Sequence, residues 1–202
     1  MEVLNSIGTL LGSSWASGVN LYMTVAGLGI AQRMHWINLP GNMNVLANPF
    51  IIIIAILLYV VEFVADKIPA VDSIWDTVHT FIRPVGGAVL GYMALANAGP
   101  VFQVPVALLT GAVSLDSHLT KATSRVAINS TTIPGTNAVA SVAEDASVFG
   151  VLYLIVKHPI ITAIVVIIFI VLSIWFLIKM FKFLKKVLSF IFGSEENQAA
   201  AT

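Results

Sequence analysis

The stretch from Ile160 to Ile178 carries no charged side chain, and a run of about 20 apolar residues is what a helix needs to cross a bilayer. A helix that is apolar on every face has to be surrounded by lipid or by protein. The rest of the chain agrees with lipid. Of 202 residues, 58% are hydrophobic and 10% charged, with a mean hydropathy of +0.95, whereas a soluble domain carries about 25% charged residues. Ten acidic and ten basic groups cannot coat a soluble globule of this size.

Other runs follow the same pattern. Ser17 to Ala31 reads as a span, Pro49 to Val61 reads as another ending at Glu62, and Asn137 to Val156 is a third with two acids set into it. Two shorter runs, Pro84 to Ala98 and Val101 to Val113, are separated by Asn97-Ala98-Gly99-Pro100. They are either short helices extended by polar flanks or a re-entrant hairpin, which lipid tolerates only where protein or water covers its backbone. The sequence therefore predicts an all-α, polytopic membrane protein of about six spans whose middle pair is short. It predicts a single transmembrane domain over 1–192 and a short disordered cytoplasmic tail over 193–202. The beginning, Met1-Glu2-Val3-Leu4-Asn5, lacks a basic region before its apolar residues and reads as retained rather than processed.

Lys179, Lys182, Lys185 and Lys186 form the densest basic cluster, which predicts a cytoplasmic C-terminus. An even number of spans returns the N-terminus to the same side. An internal echo accompanies this layout. Ser17-Gly18-Val19-Asn20 and Pro134-Gly135-Thr136-Asn137 each open a span, and each is followed by an X-Pro start to the next: Asn48-Pro49 and His158-Pro159. Repeated halves are common in transporters, and Gly-x-Asn is also ordinary capping chemistry.

Several functions are excluded by what is missing. There is no cysteine, hence no disulfide, thiolate metal site or cysteine nucleophile. The formal net charge is zero, which gives no bulk basic footprint for nucleic acid. No HExxH, Walker-type glycine loop or GxSxG elbow occurs, and no catalytic residue is assigned. The four histidines are scattered, which argues against a histidine-rich metal site.

The ionisable residues concentrate in three places. Glu62 and Asp66 share a helix face at the end of a span, and Pro69 then interrupts it. Asp72, Asp76, His79 and Arg83 follow at steps of four, three and four, one stripe of a new amphipathic helix, with Ile74, Trp75, Val78, Phe81 and Ile82 opposite. That helix is expected at the membrane interface or dipping into a vestibule. His118, Lys121 and Arg125 form a second, basic stripe, flanked by Thr120, Thr123 and Ser124. Together with Arg83 they suit a phosphate or lipid headgroup, or they pair with the acidic stripe. Third, Asn137, Ser141, Glu144 and Asp145 line one face, with the acids about 10 to 12 Å along the helix from Asn137. An acid at such depth needs a cavity, a partner or water, and Lys121 or Arg125 is the structural alternative. Asn20 joins this group if the two span starts lie on one side.

The run from Glu62 through Asp66-Lys67, Asp72, Trp75-Asp76 and His79 to Arg83-Pro84 resembles the signature of the membrane family known as domain of unknown function 4126. Gly18-x-Asn20 and Ser141-x-x-Glu144-Asp145 are similar to its other motifs. The resemblance extends from Ser17 to the last span, leaving out the lysine-rich end after Ile178. It implies a bacterial inner-membrane protein and no activity. The residues themselves point to a transporter or channel-like protein for a cation or protons. Its pathway would be Glu62, Asp66, Asp72, Asp76, His79, Glu144, Asp145, Asn20, Asn137 and Ser141. Asp72, Asp76, Glu144 and Asp145 are the candidate ligands for a bound cation, and the expected partners are the bilayer and a second copy of the chain. Two other readings stand beside it: a protein binding or processing a phosphorylated lipid headgroup through Arg83, His118, Lys121 and Arg125, and a non-catalytic membrane scaffold.

Overall fold

The structure, a computed structural model, describes residues 2–129 and 135–199. Those residues form seven α-helices and one 3-10 helix, with no strand among them. The helices are α1 (Glu2–Val19), α2 (Leu21–Arg33), α3 (Pro49–Ala65), α4 (Pro69–Ala94), α5 (Pro100–Asn129), α6 (Thr136–Lys157) and α7 (Pro159–Ala199); the 3-10 helix Gly41–Ala47 precedes α3. Four of them begin on proline, whose fixed φ suits a first helical position and whose missing N–H has no partner there anyway.

By length and apolarity, Pro100–Ile128, Thr136–Lys157 and Pro159–Lys186 can each cross a membrane. A fourth crossing is available if the 3-10 helix and α3, which meet at 72°, count as one span. Trp36 near one end of the bundle and Trp175 near the other are exposed, and Lys179 lies over the Trp175 ring at 4.8 Å. Tryptophan and lysine are residue types that anchor membrane proteins at the interface.

The structure redraws the predicted spans in three ways. First, the middle pair is neither short nor re-entrant. The stripe 72–83 and the apolar run that follows are one helix, α4, continuous through Pro84; the run 101–113 and the basic stripe are likewise one helix, α5, continuous through Pro105. Second, the predicted span Ser17 to Ala31 is broken at Asn20, where φ −149° and ψ 100° interrupt the helix. The Asn20 side chain accepts from the Met23 N–H and starts α2, the usual role of an N-cap.

Third, α1 and α2 form a hairpin. Gly8 of α1 lies against Pro159, and Gly12 against Ile155 and Thr162. Asn20 reaches Asp145, whereas Gly27 is back at Leu152. The start of α1 is therefore at the α6–α7 turn, while the lysine-rich end of α7 is at the opposite end of the bundle. α7 is helical to Ala199, through most of the stretch for which a disordered tail is predicted; residues 200–202 and Pro134 lie outside the described residues.

Close packing replaces the hydrophobic drive that lipid does not provide. A Cβ on Gly8 would overlap the Pro159 carbonyl, and one on Gly12 would lie 2.6 Å from Thr162, so this small-xxx-small pair brings α1 onto α7. Gly87 and Gly91 do the same for α4 against Ser114 and Thr110 of α5. The α4–α5 hairpin and α1 thus stand close enough for their polar faces to meet.

Candidate functional site

α4 is amphipathic in the reverse of the soluble sense. Asp72, Asp76, His79 and Arg83 are buried, Arg83 completely, while Ile74, Val78, Phe81 and Val85 face outward, with Phe81 76% exposed. The helix expected from the sequence to present its charges at an interface instead turns its charged stripe inward to α1, α3 and α5 and leaves its apolar face exposed. The basic stripe of α5 is buried in the same way. The two stripes close on each other.

Lys121 is the centre of the cluster. Its ammonium lies 2.9 Å from Asp66, 3.5 Å from Glu62, 3.7 Å from Glu144 and 4.0 Å from Asp76. Arg83 donates to Glu62 at 2.7 Å and stands 3.7 Å from Asp76. Arg125 grips Glu144 with two donors, Nη2 at 2.6 Å and Nε at 2.9 Å, the bidentate geometry in which guanidinium binds carboxylate most strongly. It also donates to the carbonyls of Asp66 and Asn137. Removing one member of such a buried pair leaves an uncompensated charge and costs about 3–5 kcal/mol.

The histidines take definite proton positions. His79 Nδ1 is 2.8 Å from the Trp75 carbonyl, which can only accept, so Nδ1 carries the hydrogen and Nε2 accepts from the Tyr22 hydroxyl at 3.0 Å. His118 is the other tautomer. Arg83 donates to its Nδ1 at 2.8 Å, so Nε2–H donates to Thr80, which donates to the Asp76 carbonyl. His79 can gain a proton if the Tyr22 hydroxyl turns; His118 cannot without losing Arg83.

The break at Asn20 brings helix ends to the site. Gly18, near the end of α1, offers its carbonyl to Arg83 at 3.0 Å. At the start of α2 the Asn20 amide donates to Asp145 at 3.1 Å, and Tyr59 of α3 donates to the other Asp145 oxygen at 3.3 Å. A cation at a helix C-terminus and an anion at an N-terminus both follow the helix dipole. α6 starts differently: Gly135 sits at its N-cap with φ +86°, which favours glycine, and no side chain caps it. The Asn137 amide and the Ser141 hydroxyl are buried without a hydrogen-bond partner, as are both oxygens of Asp72 and one each of Glu62, Asp66 and Asp76.

All fourteen residues singled out from the sequence lie in or around this one cluster. The proposed division of labour changes. Arg83, His118, Lys121 and Arg125 are occupied by carboxylates, carbonyls and each other rather than presented to an anion. Glu144 takes the structural alternative and pairs with Arg125, while Asp145 has neutral partners. Among the described residues no group of three or more His, Asp or Glu is placed to hold a metal ion; Asp72, Asp76, Glu144 and Asp145 are not brought together as a ligand set. Tyr22, Tyr59 and Thr80 were not singled out. Thr80 sits four residues after Asp76 and Tyr59 three before Glu62, so both lie on stripes that the charges already mark. Outside the spans, Lys67 covers the Phe63 ring and donates to the Phe63 carbonyl, and desolvation there lowers its pKa from the ordinary lysine value.

Counting the cluster gives Glu62, Asp66, Asp72, Asp76, Glu144 and Asp145 against Arg83, Lys121 and Arg125, with Lys67 at its edge acting on Asp145 and Asp66 as a fourth cation, six carboxylates to four cations. A model of the family described as Domain of unknown function (DUF4126) matches residues 7–179. No curated protein matches the chain, and no solved structure does.

Proposed function

The chain belongs to that family, and from this premise, which assigns no chemistry, we propose that it is a small membrane transporter or channel-like protein moving a cation or protons. The observation that supports this reading is the charge imbalance of the cluster. Two carboxylates beyond those matched by nearby cations sit inside a lipid-facing bundle, where an unneutralised charge costs several kcal/mol. Bound protons or a bound cation balance them, and exchange of either is transport. The broken helix at Asn20, with one end toward Arg83 and the other toward Asp145, is the kind of element on which transporters place ion sites.

In this reading α3 to α7 each cross the membrane, α4 by virtue of its outward apolar face, and α1–α2 enter as a hairpin from the opposite side. The lysine-rich end of α7 is cytoplasmic in a bacterial inner membrane, which sets Asp66 and Asp72 toward the cytoplasm. A second copy of the chain completes the lipid-facing surface. His79 serves as the proton-linked gate, with Tyr22 as its switchable partner. The headgroup reading is less favoured, because its four cationic residues would first have to release the carboxylates they hold.

The test is flux in proteoliposomes carrying a pH-sensitive dye, with an imposed proton or sodium gradient. Asp145→Asn and Glu144→Gln are expected to bring flux down to that of empty vesicles. Unchanged flux in both variants sinks the proposal.

A further inference from the structure

A cleft of about 330 Å³ opens between α1, α5, α6 and α7 and ends on the ion cluster. Lys121 and Glu144 form its inner wall, 3.7 Å apart. Of the acids in ion pairs Glu144 is the most exposed, its side chain 18% accessible against 8% or less for the others. It is the carboxylate that the cleft reaches.

The remaining walls have two characters. One is hydroxylic. Ser117, Ser124 and Ser147 donate their hydrogens to the carbonyls of Trp15, Thr120 and Glu144, and Thr120 donates to that of Asp116. Ser173 donates to the Asp116 carboxylate. A hydroxyl has one hydrogen and two lone pairs, so these groups, their hydrogens spent, offer lone pairs to whatever enters. The other character is aromatic: Trp15 and Phe169 stand with centroids 4.9 Å apart, and Phe176 lies beyond them on α7.

Lone pairs repel an anion, and the one cation on the wall, Lys121, is committed to Asp66 and Glu62. A hard metal ion seeks an oxygen cage, to which aromatic walls add nothing. A carboxylate, acceptor oxygens and aromatic faces together suit an alkylated nitrogen cation, whose charge takes the oxygens and whose carbons take the rings. The volume is at the lower end of the range for small-molecule sites. Lys121 is itself a primary alkylammonium beside Glu144, so the chain carries a template for the ligand.

We propose that this cleft binds a small organic ammonium ion, with its nitrogen on Glu144 and its alkyl groups against Trp15, Phe169 and Phe176. This rests on the cation reading above and names its substrate class. On entry the ligand takes the remaining lone pair of Glu144 Oε2, the oxygen that Arg125 Nη2 holds at 2.6 Å and Lys121 approaches to 3.7 Å; Arg125 stays, and Lys121 withdraws to Asp66 and Glu62, where it already has partners.

The experiment is binding of radiolabelled methylammonium to the full chain in lipid nanodiscs, competed with tetramethylammonium, sodium and inorganic phosphate. Saturable binding is expected, displaced by tetramethylammonium and left intact by equimolar sodium or phosphate. Glu144→Gln should abolish it. Because that change also strips Arg125 of its partner, Phe169→Leu serves as the second variant, expected to weaken binding about three- to tenfold, the size of a cation–π contact. No saturable binding, displacement by sodium, or wild-type affinity in both variants overturns the proposal. Proton or sodium flux that persists without methylammonium binding overturns only this substrate class; absence of both overturns the transport reading as well.

Discussion

At the residue scale the cluster is a set of obligations. Arg83 satisfies Glu62, the Gly18 carbonyl and His118 at once, and both Arg83 and Glu62 are fully buried. Arg83→Gln is therefore expected to lower stability by about 3–5 kcal/mol, read as a loss of folded protein in detergent at moderate temperature. The double variant Arg83→Gln/Glu62→Gln should recover part of that loss, since it removes both charges together. A double variant no more stable than the single one would show that Glu62 is not the partner that matters. These obligations were partly legible beforehand: the spacing 72, 76, 79, 83 marks one stripe, and 118, 121, 125 marks another of opposite sign. Which acid meets which base was not legible, because local spacing carries no information about contacts between helices. Thr80 is not legible in this way, because nothing in the spacing marks a threonine whose hydroxyl stands between His118 and the Asp76 carbonyl.

At the scale of elements, glycine decides how closely helices approach. Gly91 has no room for a Cβ against Thr110, whereas Gly150, in the middle of α6, has open space around it. Gly91→Val should separate α4 from α5 and release the ion cluster, seen as a sharp drop in the melting temperature of purified protein. Gly150→Ala should be neutral or raise stability by about 0.5–1 kcal/mol, the helix-propensity difference. The opposite ranking would show that the α4–α5 contact is not tight. Here the sequence was misleading for a physical reason. Runs of 15 apolar residues look too short to cross when charge is assumed to end a span, but a charged stripe that faces protein extends the helix instead of ending it. The cap at Asn20 is legible in Gly18-x-Asn20, but the helix that runs up to it from Glu2 is not.

At the scale of the molecule, the absence of cysteine makes topology directly measurable. Spin labels on Phe81→Cys should collide with oxygen, which concentrates in lipid, far more than with a polar relaxation agent. A label at 81 more accessible to the polar agent would contradict the outward apolar face of α4. In the same format Leu4→Cys and Lys182→Cys should react from opposite sides of a sealed vesicle, because the start of α1 lies by the α6–α7 turn. Reaction from the same side would return the termini to the arrangement suggested by lysine counting. That count rests on taking each apolar run as a full crossing, whereas α1 and α2 form a hairpin.

The inward charges of α4 also bear on how the protein is made. A helix bearing Asp72, Asp76, His79 and Arg83 cannot be released into lipid alone at acceptable cost, nor can α5 with Lys121 and Arg125. Each carries what the other lacks, but Glu62 arrives on α3 and Glu144 on α6, before and after them. Under the proposed topology the helices are therefore held beside the insertion machinery until synthesis has passed α6, and enter the bilayer as a neutralised group rather than one at a time.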